Sequence, residues 1–88
     1  MTYAADFLTA ARAEALFSSD LPTGSCLTCD EVGAAIEHAL QVQHGARGCA
    51  MVLAGEYGEH PETAVPRMRW ALRTVRAAYA ERLSGSAA

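Results

Sequence analysis

Between residues 65 and 79 five large apolar side chains, Val65, Met68, Leu72, Val75 and Tyr79, recur at spacings of 3, 4, 3 and 4. That period places them along one side of an α-helix, and no stretch of the 88 residues alternates with the two-residue period of a half-buried strand. The chain therefore reads as all-α, with this last helix as the spine of the core. Pro61 suits a first helical position, whereas Pro66 costs a hydrogen bond unless the helix begins near Thr63, so its start stays open between the two. Residues 1–84 are expected to form a single helical domain and 85–88 a flexible tail.

Three shorter helices precede it. Tyr3, Phe7, Leu8, Ala11 and Ala15 form the apolar stripe of the first, which stops before the turn-rich connector SSDLPTGSCL, expected to be the most mobile segment. Thr28 opens the second, with Glu31 three residues on in the pattern of a capping box and Val32, Ala35, Ile36, Ala39 and Leu40 inward. HGARG ends it, Gly45 suiting the left-handed residue after a helix. The third runs from about Arg47 to Tyr57, with Cys49, Val52, Leu53 and Tyr57 inward and Gly58 as terminator.

Apolar residues at 51% against 19% charged are the composition of a folded chain. Much of the apolar share is Ala, which suits close helix approach. The start lacks a basic segment and carries Asp6 and Glu14 within its apolar stretch, so neither a signal peptide nor a membrane span is read there. A cytoplasmic location follows as an expectation, with the three cysteines as reduced thiols.

The net charge of −3 hides an uneven distribution. Residues 1–60 hold eight acids against Arg12 and Arg47, whereas residues 61–88 hold Arg67, Arg69, Arg73, Arg76 and Arg82 against Glu62 and Glu81. At roughly 100° per residue, Arg69, Arg73 and Arg76 fall on one side of the last helix, while Trp70 and Ala77 lie nearly opposite its apolar stripe. Trp with Arg is the composition of binding hot spots, so Trp70, Arg69, Arg73, Arg76 and Ala77 are read as a partner-binding surface, with Trp70 as anchor. The alternative for Trp70 is burial under the first helix. The alternative for the arginines is a solvated face paired with Asp30, Glu31 or Glu37.

The spacing of Ala54, Gly58, Thr63, Arg67, Met68 and Ala71 resembles the helix-turn-helix of sigma-factor region 4. The resemblance implies that Ala54 packs between two helices, that Gly58 makes the turn, and that Arg67, Arg69 and Arg73 face DNA. Glu59 departs from that pattern, which places an apolar residue after the turn glycine, and so do the groove-facing Pro61, Glu62, Val65 and Pro66, none of which donates to a base edge or a phosphate. The blocks GCA, EYGEHPETAV and RMRWAL are also similar to small actinobacterial helical proteins of unassigned role, a resemblance that implies a source and no mechanism.

CLTC followed by His44 and Cys49 has a zinc-finger spacing, but a helix from Thr28 to His44 rises about 1.5 Å per residue and would part Cys29 from His44 by roughly 20 Å. An antiparallel third helix would instead return His60 toward Cys26 and Cys29, a three-ligand alternative without a fourth member. The same CLTC as a redox pair lacks a βαβ setting. No nucleophile, base and orienting carboxylate occur at an interpretable spacing, so neither an enzyme nor a cofactor is expected. The sequence thus points to a non-catalytic regulatory or protein-interaction module, binding a protein partner or a second copy of itself through the last helix. A DNA-binding regulator is the alternative.

Overall fold

The computed structural model describes the backbone from residue 3 to residue 87 and side chains from 7 to 80. Among the described residues there are four helices and no strand: α1 (Tyr3–Phe17), α2 (Cys29–Val42), α3 (Ala46–Glu59) and α4 (Pro61–Ala87). The protein is all-α, and none of the described helices is long and apolar enough to cross a membrane.

The start of α2 forms as its letters require. The Glu31 backbone N–H donates to Thr28 Oγ1 at 3.1 Å while the Thr28 N–H donates to the Glu31 carboxylate at 2.8 Å, closing the capping box. The α2–α3 junction turns on two residues rather than one. His44, at φ 64°, takes the left-handed position expected of glycine, and Gly45 follows at φ 103°. Their N–H groups donate to Gln41 O and Leu40 O, which satisfies the last carbonyls of α2. Gly48 brings the first turn of α3 against this junction, where a Cβ would overlap the Gln43 carbonyl.

At the α3–α4 hairpin the end of α3 differs from expectation, and the start of α4 falls on the first of the two positions left open. α3 continues through Gly58, which has no positive φ, and His60 alone separates the helices. Its N–H donates to Glu56 O, ending α3, and its own carbonyl accepts from the Thr63 and Ala64 N–H groups, starting α4. α4 therefore begins at Pro61, whose missing N–H costs nothing at a first helical position, and carries Pro66 inside its second turn. Residues 85–87, expected as tail, continue the helix; each added residue of an existing helix gains one hydrogen bond without a new nucleus. Ala88 lies outside the described residues.

The core is rotated relative to the apolar periodicity. On α4 the buried residues are Ala64, Trp70, Ala71, Val75 and Ala78, whereas Met68, Leu72 and Tyr79 flank them half-buried and Val65 is exposed. Three of the five buried residues are alanines, whose small side chains allow a second helix to approach, and the larger half-buried residues flank them. On α1 the inward residues are Ala13, Ala15, Leu16 and Phe17. Of the expected α1 stripe only Ala15 is buried: Phe7 is 79% exposed, and Leu8 and Ala11 are exposed, because only the second half of α1 enters the core. Tyr3 lies outside the described side chains. On α2 Val32, Ile36 and Ala39 are buried, and on α3 Cys49 is, all as expected.

Candidate interaction surface on the last helix

Arg67 and Arg69 stand two residues apart, roughly 200° around the helix, and their fates differ accordingly. Arg67 turns inward. Its Nε donates to Phe17 O at 2.8 Å, Nη2 to Ser19 O at 2.9 Å and Nη1 to Thr23 Oγ1 at 3.0 Å. The guanidinium carbon also lies 5.1 Å from the Trp70 ring centroid and 5.6 Å from that of Phe17. Burial pushes its pKa below the ordinary arginine value, and the nearby Glu56 carboxylate acts in the opposite direction. α1 has no basic residue in its own last turn, so Arg67 supplies from α4 the positive charge that the carbonyl end of a helix favours. Arg67 is thereby removed from the set expected to contact DNA: each of its three nitrogens already holds an acceptor.

Trp70 is removed from the partner-binding set by the same connector. It is only 3% exposed, and its Nε1 donates to Ser25 O at 3.0 Å. An indole covered in this way cannot anchor a partner. The connector expected to be mobile is instead tied to α4 by Arg67 and Trp70, and its start is held by Ser18 and Ser19, whose hydroxyls donate to Ala15 O and Leu16 O. Sequence reasoning missed this because no local pattern links residues 17–25 to residues 67–70; the one available signal was a large aromatic off the main stripe.

Arg69, Arg73, Arg76 and Ala77 remain where the sequence put them, exposed on the outer side of α4. Among the described residues none of these three guanidiniums forms an ion pair, so the internal pairing with Asp30, Glu31 or Glu37 does not arise there. From residue 63 to residue 80 the helix has no acid. Above Trp70 the connector stands off from α4, and an open cleft of about 290 Å³ lies between Ser25, Cys26 and Leu27 on one side and Arg73, Thr74, Ala77 and Ala78 on the other.

The other candidate chemistries separate in space. Among the described residues no three His, Cys, Asp or Glu side chains gather as a metal site, so the alternative cluster of Cys26, Cys29 and His60 does not form there. Cys29 donates its thiol to Ala78 O at 3.2 Å, Cys49 is buried with its thiol toward Ala39 O at 3.8 Å, and Cys26 is exposed. Ser18, Ser19, Asp20 and His38 do line one cleft of about 180 Å³, but both hydroxyl protons are directed to the carbonyls at the end of α1. Of the helix-turn-helix positions, Ala54 is exposed rather than packed between helices and Gly58 is helical rather than the turn, so neither plays the part the resemblance implies. Comparisons with protein-family models, curated proteins and solved structures find no match for the chain.

Proposed function

We propose that the protein is a non-catalytic interaction module, regulatory in role, that presents the outer face of α4 to a partner with an acidic surface. The observation that carries this reading is the exposed row Arg69, Arg73 and Arg76 without an ion pair among the described residues. Such a row speeds encounter with an opposite charge and selects against like-charged partners, while contributing little to folding. In support of the non-catalytic part, the cleft that holds Ser18 and Ser19 beside His38 has both hydroxyls committed to helix-end carbonyls.

A second protein suits this face better than a second copy. Pairing α4 with itself across a two-fold axis sets guanidinium against guanidinium, an arrangement that like-charge repulsion opposes. Binding of DNA by Arg69 and Arg73 is the second reading, favoured by the same row and opposed by Glu59 and Glu62 at the α3–α4 junction, which would repel phosphates. Fluorescence anisotropy with a labelled peptide of Glu and Gln, and separately with a generic duplex, at low and moderate salt, tests both. The proposal expects peptide binding that weakens with salt and vanishes in Arg69→Ala/Arg73→Ala/Arg76→Ala. Duplex binding with a steep salt dependence and no peptide binding would favour the second reading. Binding to neither overturns both.

A further inference from the structure

The segment from Ser25 to Cys29 closes on α4 unevenly. At one end the Trp70 indole holds Ser25 O, and at the other the Cys29 thiol donates to Ala78 O. Between these two tethers Cys26 and Leu27 leave the open cleft of about 290 Å³ against Arg73, Thr74, Ala77 and Ala78. Trp70 and Ala77 share one direction on α4, seven residues and about two turns apart. The connector covers that direction at Trp70 and leaves it open at Ala77, which is exposed.

Leu27, Cys26, Ala77 and Ala78 form the apolar part of the cleft and Ser25, Thr74 and Arg73 its polar part, and its size is at the small end of ligand-binding clefts. It suits one aliphatic side chain better than a cofactor. Arg73 stands at its rim, with Arg69 four residues before and Arg76 three residues after on the same side of the helix.

We infer that the partner segment is an acidic peptide carrying one aliphatic anchor, the anchor seated between Leu27 and Ala77 and the flanking carboxylates on Arg69, Arg73 and Arg76. This inference rests on the proposed acidic partner and adds the apolar seat. Charge complementarity selects the occupant: the one charged residue lining the cleft is Arg73, with Arg69 and Arg76 exposed beside it on α4, and a nucleic acid backbone has no aliphatic side chain to place in the cleft. Affinity then comes from the buried anchor, and orientation from the guanidiniums.

The test uses the full chain and two labelled peptides, one of Glu and Gln only and one with a single central Leu. The Leu peptide is expected to bind about tenfold more tightly, the gain from burying most of one aliphatic side chain. Two perturbations are expected to abolish that gain, bringing the Leu peptide to the affinity of the Glu and Gln peptide measured on the same perturbed protein. One is Ala77→Gln, which fills the seat from an exposed helical position. The other is alkylation of Cys26 by N-ethylmaleimide, verified as a single adduct by mass and requiring no substitution. Equal affinity for the two peptides overturns the seat and leaves the basic-face reading standing. A gain that survives both perturbations places the anchor elsewhere and overturns the inference. Binding of neither peptide overturns the basic face as well, and tighter binding of duplex than of either peptide replaces the acidic peptide with a nucleic acid.

Discussion

The Trp70 indole N–H donates to the Ser25 carbonyl oxygen across 3.0 Å, joining residues 45 positions apart. With this one bond a side chain that the sequence offers as a binding anchor becomes the fastening of a loop. It also fixes where the outer face of α4 is covered and where it is open.

Replacing Trp70 separates the ring from its hydrogen bond. Trp70→Phe retains most of the apolar burial but leaves Ser25 O without its donor, and is expected to cost about 1–2 kcal/mol. Trp70→Ala empties the site and is expected to cost about 3–5 kcal/mol, with loss of helical circular dichroism in a domain this small. Urea titration followed at 222 nm, a wavelength set by the amide rather than the indole, distinguishes the two. An unchanged midpoint for Trp70→Ala would contradict the packing.

Arg67 fastens the other end of the same connector. Its planar fork reaches three acceptors from three nitrogens, a geometry that a lysine ammonium on a flexible stem does not reproduce. Arg67→Lys is expected to destabilise by about 1–3 kcal/mol and to speed proteolytic nicking between residues 18 and 28. Limited proteolysis with mass mapping checks this; cleavage confined to the chain termini would contradict it.

At Gly48 the constraint is steric. A methyl group there would overlap the backbone carbonyl of Gln43, which no rotamer relieves, so Gly48→Ala should lower stability by about 3 kcal/mol through displacement of α3 from α2. Gly33 has open space around its ideal Cβ position, and Gly33→Ala is the matching control, expected to be stabilising by up to about 1 kcal/mol within a helix. Thermal melts of the pair measure the difference.

His44 holds a left-handed backbone at φ 64° without the freedom of glycine. Its side chain is exposed, so His44→Gly removes strain and little else, and is expected to stabilise by about 0.5–1 kcal/mol. A lower melting temperature in this variant would show that the imidazole has a role the backbone geometry does not explain.

The arginine row predicts a separation of binding from folding. Arg69→Ala, Arg73→Ala and Arg76→Ala should each change stability by no more than about 0.5 kcal/mol, as exposed substitutions do, while the triple variant loses binding to the acidic peptide. Isothermal chemical denaturation and anisotropy on the same sample would check both halves. A large loss of stability would mean that the row pairs with the fold itself.

Neighbouring residues were enough to determine that this chain is helical, where α2 starts, and which side of α2 turns inward, because helix period and capping depend on residues no more than four positions apart. They also placed Arg69, Arg73 and Arg76 together on one helical side. Only the tertiary structure decided which side of α4 turns inward, since three of its five buried residues are Ala64, Ala71 and Ala78, whose weak hydrophobicity leaves a faint periodic signal. It alone decided that Arg67 and Trp70 serve the connector while Arg69 serves the surface. The acceptors that claim Arg67 and Trp70 include main-chain carbonyls of Phe17, Ser19 and Ser25, and a carbonyl is present at every residue, so no letter in the sequence marks the ones that folding will bring near.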